Sequence, residues 1–183
     1  MSDDVQSPQA FAPDRCAATV ESGGVQRYHA VPSVLSKQRV DSHAWSVAMI
    51  VLCLTDGAAS RNLLLHALLH DSAEIVTGDI PYTVKQSNPA MKALAGEMEA
   101  RAHDELLFPL PTLSPDDAAI LKIADTLDGW RWCQLHEPRG PVTDRWLGAW
   151  RNARKKFNAL DPAIWGRATI LFRMFEFIDI RIR

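Results

Sequence analysis

The chain has 183 residues, the length of one ordinary domain and short for a two-domain enzyme. Hydrophobic residues make up 47% and charged residues 23%, as in folded globular proteins and unlike disordered or collagenous chains. A formal net charge of -2 provides no basic field for a nucleic-acid backbone, so we predict no nucleic-acid partner. The longest apolar stretch, residues 44–54, is far shorter than the roughly 20 residues that cross a bilayer, so we predict no membrane partner.

The start of the chain, residues 1–9, is polar and acidic and lacks the basic and apolar regions of a secretory signal. We therefore expect a cytoplasmic protein. The chain has 3 cysteines without CxxC spacing, which argues against both a disulfide framework and a cysteine zinc site.

Glycine, proline and capping residues divide the chain into segments whose apolar residues follow a helical period, so we predict an all-α fold. We expect a flexible N-terminal arm over residues 1–13 and a single domain over residues 14–183. The predicted helices cover residues 14–22, 41–54, 61–76, 89–107, 115–135, 143–159 and 161–182.

Two of these helices have informative patterns. In the helix over residues 41–54, Asp41 or Ser42 is the predicted cap, and Trp45, Met49 and Leu52 share one apolar face. The helix over residues 61–76 is so rich in leucine that we expect it to be central and buried on nearly all sides.

A histidine and a carboxylate, His70 and Asp71, are adjacent near the end of that apolar helix. A buried carboxylate needs a partner or a metal ion, and a neutral imidazole beside it can supply a second ligand. His43 and Asp125 interrupt the apolar stripes of two further helices. Each residue alone could be an ordinary hydrogen-bonded side chain, but two imidazoles and two carboxylates together suit a divalent ion such as Mn, Co, Fe or Zn.

The order of these four residues resembles that of the HD-domain phosphohydrolases, in which a histidine, a His-Asp pair and a distant aspartate bind one divalent ion. The segment HDSAEIVTGDIP, residues 70–81, followed by Val84-Lys85, is similar to the signature of bacterial 5'-deoxynucleotidases and their phage relatives. Arg27 and Tyr28 precede His43 by about fifteen residues, as an arginine and an aromatic residue do in that group. The resemblance covers residues 14–135 and implies a compact multi-helix HD-domain bundle with the metal site between its central helices.

The resemblance also implies roles for further residues. Glu74 matches a general acid or base, and four residues after His70 on a helix it would project from the same face. Asp79 matches a residue that assists catalysis or contacts the sugar, although an aspartate before Ile-Pro can also simply form a turn. The implied substrate-binding residues, of which each cation could instead be a solvated surface residue, are Arg27, Tyr28, Lys85 and Lys122.

Two details qualify the resemblance. Tyr28 stands where many relatives have tryptophan, and its ring could stack on a base or crowd a ribose 2'-hydroxyl. His66 and His70 have the spacing of a helical zinc pair, but position 67 is not glutamate, so a zinc protease of the HExxH type is excluded.

Three functions remain open. The short chain with Arg27-Tyr28-His29 before the metal block favours a dATP-preferring triphosphohydrolase like those of phages, which releases a deoxynucleoside and tripolyphosphate. The alternative is a deoxyribonucleoside 5'-monophosphatase, which needs fewer cations, and the second alternative is a non-catalytic nucleotide-binding HD module. The implied cofactor is a divalent ion, Zn, Co or Mn, with Mg as a further ion on the phosphate tail. The partners that the resemblance implies are a small deoxynucleotide substrate and other copies of the chain in a dimer or hexamer, in the host cytoplasm for a phage-encoded chain.

Overall fold

The computed structural model describes residues 12–30, 34–136 and 143–176, and its predominantly helical architecture confirms the predicted all-α class. A single antiparallel pair of two-residue strands is found in these ranges, β1 (Gln26–Arg27) and β2 (Gln38–Arg39), with Gln26 opposite Arg39. The predicted arm up to residue 11 and the predicted last helix beyond residue 176 lie outside the described residues. The helices are α1 (Pro13–Ser22), α2 (Val40–Thr55), α3 (Arg61–Leu69), α4 (Glu74–Thr77), α5 (Tyr82–Ser87), α6 (Pro89–Glu105), α7 (Pro115–His136), α8 (Thr143–Lys156) and α9 (Pro162–Glu176).

The main hydrophobic core lies where α2, α3, α7, α8 and α9 meet. Val51 of α2, Leu63 of α3 and Leu127 of α7 have no solvent exposure. Burying a side chain of this size stabilises the folded state by about 1.5–3 kcal/mol, so these three residues help to hold α2, α3 and α7 together. Trp130 of α7 stacks on Phe172 of α9 with ring centroids 5.0 Å apart, which closes the other side of the core.

The beginning of α2 differs from the prediction, because neither Asp41 nor Ser42 caps it. The helix starts at Val40, directly after β2, and backbone carbonyls of the preceding turn hold its first amides: Val40 N–H donates to Val25 O at 2.9 Å, and Asp41 N–H to Gly23 O at 3.1 Å. A side-chain cap is therefore unnecessary. The Asp41 carboxylate instead pairs with Arg39 at 2.7 Å.

The apolar face predicted for α2 is also not the face that packs. Trp45 is 62% exposed and Met49 is 37% exposed. The helix instead turns Val47, Val51 and Leu54 into the core. The helix α2 carries apolar residues on several of its faces. The face that packs against the core is therefore decided by the positions of α3 and α7 rather than by the local sequence pattern.

The helix predicted over residues 61–76 is two helices, and its predicted burial on nearly all sides is wrong. Within α3 only Leu63 and Ala67 are buried, and Leu68 is 48% exposed. The chain leaves the helix at a turn over residues 70–73, where the Ser72 hydroxyl and amide both donate to Leu69 O, at 2.6 and 3.0 Å. A serine that bonds the carbonyl three residues before it in this way competes with helix continuation, so His70 and Asp71 lie on a turn between α3 and α4.

The following segment packs α4 against α6 in a second, smaller core. Ala73, Ala102 and Leu107 are buried there. Asn88 caps α6 by accepting the Met91 N–H at 3.1 Å, and Pro89 begins the helix, whereas the short helix α5 has no counterpart in the prediction. Among the described helices, none combines the length and the apolar character that a membrane span requires.

Candidate active site

Four side chains from three parts of the fold converge on one point. His43 comes from the first turn of α2, His70 and Asp71 from the turn after α3, and Asp125 from the middle of α7. His43 Nε2 lies 3.2 Å from His70 Nε2, 3.3 Å from Asp71 Oδ2 and 3.5 Å from Asp125 Oδ1. His70 Nε2 in turn lies 3.4 Å from Asp71 Oδ1. The structure therefore brings together all four residues that the sequence analysis proposed as metal ligands.

Both imidazoles turn the same nitrogen toward this point. The outer nitrogen of His70, Nδ1, lies 3.2 Å from the backbone carbonyls of His66 and Ala67. Carbonyls only accept hydrogen bonds, so Nδ1 carries the proton and the lone pair of His70 Nε2 faces the other ligands. His43 is oriented in the same way, because its Nδ1 lies 2.7 Å from a carboxylate oxygen of Asp128 and its Nε2 is directed at the other ligands.

The donor set fits a divalent ion. Ligand atoms of His43, His70 and Asp71 all lie within 4.8 Å of one another, and Asp125 borders the same point. A mixed set of imidazole nitrogens and carboxylate oxygens is suited to Zn, Co or Mn. The cluster is also closed to bulk solvent on the His43 side, since that side chain has no exposure.

The charges of the cluster favour the protonation states that ligands need. Burial works to raise the pKa of Asp71, but the neighbouring His70, Arg27 and His43 hold it well below its usual range. Burial lowers the pKa of His70, so its imidazole is neutral near pH 7. Asp125 has its pKa lowered against the effect of burial, chiefly by Lys122 and by His43.

His43 is the exception. Burial and the charge of Arg27 oppose its protonation, but the bonds to Asp125, Asp128 and Asp71 outweigh them and raise the pKa of His43 to about 10. An ion that binds here would have to displace that proton.

The three predicted substrate-binding cations differ in their surroundings. The Arg27 guanidinium lies between two of the ligands, with Nε 3.7 Å from Asp71 Oδ2 and Nη2 3.8 Å from Asp125 Oδ1. Lys122 Nζ donates to Asp125 Oδ2 at 2.6 Å, and its side chain is 55% exposed. Lys85 Nζ pairs with Glu99 Oε1 of α6 at 3.2 Å. Arg27 and Lys122 thus contact the cluster directly, whereas the ion pair of Lys85 within the described part of the chain is with Glu99.

Glu74 lies beside the cluster although it does not share a helix with His70 as predicted, because α4 begins at Glu74 itself. Its side chain is buried, and Oε2 has no hydrogen-bond partner among the described residues. Burial raises the pKa of Glu74 to about 9, together with the negative charges of Asp71 and Asp79. A buried carboxyl of this kind keeps its proton at neutral pH.

Asp79 and Tyr28 are in direct contact. Asp79 Oδ2 accepts a hydrogen bond from the Tyr28 backbone N–H at 2.7 Å, which joins the turn after β1 to the loop after α4. Tyr28 has a left-handed backbone with φ of 62°, and its ring centroid lies 5.5 Å from Arg27 Cζ. The Tyr28 hydroxyl is buried without a hydrogen-bond partner among the described residues, and burial raises its pKa above the usual range.

Sequence reasoning missed Asp128, which has no solvent exposure and contacts His43. It also missed Gln38 and Arg131, which both donate to the Asp128 carboxylate. One signal was available for Asp128. It stands three residues after Asp125 in an otherwise apolar stretch of α7, where a carboxylate needs a partner.

Several known proteins are similar in sequence to this chain. The family model described as "5'-deoxynucleotidase YfbR-like" matches residues 24–128, more than half of the chain and the whole of the cluster. A 5'-deoxynucleotidase of Vibrio cholerae is 28% identical over 131 residues, which cover 60% of this chain and 67% of that relative. The dATP triphosphohydrolase of Cyanophage S-2L is 34% identical over 98 residues, which cover 50% of this chain and 54% of that relative.

A solved structure shows the same fold. The Cyanophage S-2L HD phosphohydrolase DatZ, bound to dA and one catalytic Zn2+ ion, superimposes with a TM-score of 0.72. The superposition covers 87% of this chain and 95% of DatZ at 19% sequence identity. The predicted HD-domain bundle is thereby confirmed.

Proposed function

This chain belongs to the YfbR-like 5'-deoxynucleotidase family, and we propose that it hydrolyses deoxynucleoside triphosphates, dATP foremost. The products are a deoxynucleoside and tripolyphosphate. The observation that carries this proposal is that two cations from different elements contact the cluster, Arg27 of β1 and Lys122 of α7, while Lys85 of α5 is near enough to Glu74 for its charge to lower the pKa of that group. A long phosphate tail needs several such donors.

In this function, His43, His70, Asp71 and Asp125 hold one divalent ion, for which Zn, Co and Mn are the candidates. When bound, such an ion activates water for attack and neutralises charge on a phosphoryl oxygen. Mg can accompany the phosphate tail as a second, substrate-borne ion.

Glu74 is the proposed general acid. It is buried, and it keeps its proton at neutral pH because its pKa is raised to about 9. When water attacks the α-phosphorus and the bond from phosphorus to the 5'-oxygen breaks, that oxygen leaves with a negative charge. A proton from Glu74 neutralises it and releases the deoxynucleoside as a neutral alcohol.

Arg27 and Lys122 are the proposed ligands of the phosphate oxygens. Both now pair with carboxylates of the cluster, Arg27 with Asp71 and Asp125, and Lys122 with Asp125. These carboxylates need less counter-charge from the protein once they bind a divalent ion, so the two cations can turn to phosphate. The guanidinium of Arg27 has the planar fork that grips two phosphate oxygens at once.

Tyr28 and Asp79 are proposed to shape the end of the site that takes the nucleoside. The Tyr28 ring packs against Arg27 and offers a flat surface to a base or a sugar. Asp79 holds the Tyr28 backbone in place, and we assign its contribution to catalysis through that contact.

A second candidate is a deoxyribonucleoside 5'-monophosphatase. It is favoured by the family description, by the Vibrio cholerae relative, and by the Lys85–Glu99 ion pair, which occupies one of the three cations. A deoxynucleoside monophosphate has a single phosphate group, and Arg27 and Lys122 suffice to bind it.

Product analysis separates the candidates. The purified protein with Zn2+, Co2+ or Mn2+ is offered each deoxynucleoside mono- and triphosphate and the matching ribonucleotides, and the phosphate species are separated by ion exchange. Tripolyphosphate released chiefly from dATP supports the proposal, and orthophosphate from several deoxynucleoside monophosphates supports the second candidate. No turnover with any of the three ions would contradict both and favour a non-catalytic nucleotide-binding module.

A further inference from the structure

We propose that Asp128 is a positioning residue of the metal centre, which holds the His43 imidazole with Nε2 directed at the other ligands. The inference rests on the metal-dependent function proposed above, because it assigns a residue that prepares that site. Among the four proposed metal ligands, the one with which Asp128 shares a hydrogen bond in the described part of the chain is His43.

The two ring nitrogens of His43 have different contacts. Nδ1 lies 2.7 Å from Asp128 Oδ2, and Nε2 lies 3.2 to 3.5 Å from atoms of three other ligands. Both side chains are fully buried, so water does not compete for the Nδ1 bond. A carboxylate on Nδ1 keeps a proton on that nitrogen, so Nε2 is the nitrogen that gives up its proton to an ion, and the same contact makes Nε2 a better donor to the ion.

Asp128 is itself held from two sides. Gln38 Nε2 donates to Oδ2 at 2.7 Å, the oxygen that also faces His43. Arg131 donates to Oδ1 through Nε at 3.2 Å and through Nη2 at 2.9 Å, and the same Nη2 reaches Ser46 Oγ of α2 at 2.9 Å. Both carboxylate oxygens are therefore satisfied, as a buried negative charge requires, and the carboxylate cannot rotate without breaking several bonds.

The same network extends to the proposed phosphate ligand. Arg27 Nη1 donates to Gln38 Oε1 at 3.4 Å, while Gln38 Nε2 donates to Asp128. One buried glutamine thus links the residue that orients His43 to the guanidinium that stands beside Asp71 and Asp125.

The direct test is the affinity of Asp128→Asn for Zn2+, measured on metal-free protein by competition with a chromophoric chelator. Asparagine keeps the size of the side chain but removes the charge, so we expect Zn2+ binding to weaken by about 10- to 100-fold. Asp116→Asn, on the exposed first turn of the same helix, is the matched control and should bind as the wild type does. A merely structural role would lower the stability of Asp128→Asn but leave the affinity of its folded fraction unchanged, and that result would overturn the inference.

A second measurement decides the matter if Asp128→Asn does not fold. In wild-type protein with 15N-labelled histidine and bound Zn2+, long-range 1H–15N spectra should show His43 with a protonated Nδ1 and a metal-shifted Nε2. His43→Gln assigns the signal by its disappearance. A metal-shifted or unprotonated Nδ1 would overturn the inference.

Neither measurement uses a nucleotide. A wild-type protein that hydrolyses no nucleotide but binds Zn2+ in an Asp128-dependent way would contradict the proposed function and support this inference. If the wild type is active, excess Zn2+ should restore part of the turnover of Asp128→Asn, because the variant has a lower affinity for Zn2+ but keeps its catalytic groups. A loss of turnover that persists when the variant is fully occupied by Zn2+ would count against the inference.

Discussion

Asp79 and Tyr28 stand 51 positions apart in the sequence and share a hydrogen bond of 2.7 Å from the Tyr28 backbone N–H to Asp79 Oδ2. Tyr28 adopts φ of 62°, a left-handed conformation that costs a residue with a side chain about 1–2 kcal/mol. The charged acceptor offsets that cost. Because Arg27 directly precedes Tyr28, the same bond also fixes where the guanidinium enters the cluster.

We therefore expect Asp79→Ala to reduce kcat/KM by about 10-fold or more, because Arg27 and Tyr28 lose their alignment. The free energy of unfolding should fall by about 1–3 kcal/mol, the cost of leaving a donor without its charged acceptor. Asp79→Asn keeps an acceptor oxygen at the same place and should retain more of both quantities. Steady-state kinetics and urea unfolding measure the two effects, with Asp116→Ala as the control for loss of an exposed carboxylate. Equal losses in the Ala and Asn variants would show that the Asp79 charge, rather than this bond, is what matters.

Substitution of the proposed metal ligands should change both the activity and the metal content of the protein. His70→Ala and Asp71→Ala should each abolish hydrolysis and lower the metal content of the purified protein, because each removes a donor from a set within 4.8 Å. Glu74→Ala should instead slow turnover with the metal retained, since Glu74 borders the cluster without belonging to the ligand set. Elemental analysis beside initial rates provides the measurement.

The matched control for the ligand variants is His66→Gln. His66 lies one turn before His70, but its Nε2 faces the Pro111 carbonyl at 2.5 Å and not the cluster. Glutamine can donate to the same carbonyl, so metal content and activity should stay near those of the wild type. Full activity of metal-free Asp71→Ala would contradict the site assignment.

The proposed metal ligands could be predicted from the sequence because they depart from the apolar pattern of their segments. His70, Asp71 and Asp125 are polar residues within apolar helical stretches, and such residues need partners. The order in which they occur supplied the family resemblance. Asp128 departs from the pattern in the same way, but its partners Gln38 and His43 lie 90 and 85 positions away, so only the folded chain reveals what it does.

The errors about the helices have a common physical origin. Whether Trp45 or Val47 faces the core depends on which neighbour packs against α2, and local periodicity carries no information about neighbours. The helix breaks after Leu69 because the Ser72 hydroxyl bonds the Leu69 carbonyl instead of leaving it to continue the helix. That break matters for function, because it places His70 and Asp71 on a turn where both can reach His43.

Substitution of Lys85 tests whether this residue binds the distal phosphates of a triphosphate substrate. Its ammonium pairs with Glu99 at 3.2 Å and lies near enough to Glu74 for its charge to lower that pKa. If Lys85 turns from Glu99 to a distal phosphate, Lys85→Ala should raise the KM for dATP by about 10-fold, the value of one charge-assisted contact, and change the use of dAMP much less. Lys92→Ala, an exposed lysine on α6, is the control. Equal losses with dATP and dAMP would remove Lys85 from the tail.

Glu74 makes stability depend on pH in a defined direction. Its pKa is about 9 in the folded protein, raised first by burial and then by Asp71 and Asp79, against an ordinary value near 4.5. The folded state therefore binds the proton more tightly than the unfolded state. The contribution of this group is fully present below about pH 4.5 and is lost progressively as the pH rises toward 9, by at most about 1.4 kcal/mol per pH unit.

Glu74→Gln cannot ionise, so it should lose less stability than the wild type over this range. Urea unfolding of both metal-free proteins at pH 6, 7 and 8 should give a difference in the free energy of unfolding that grows with pH in favour of the variant. The other titrating groups, His43 among them, are present in both proteins and largely cancel in that difference. Glu97→Gln, an exposed glutamate on α6, should show no such trend. A difference that stays constant with pH would mean that Glu74 is ionised in the folded protein, and a carboxylate in that state could not supply the proton that the leaving 5'-oxygen needs.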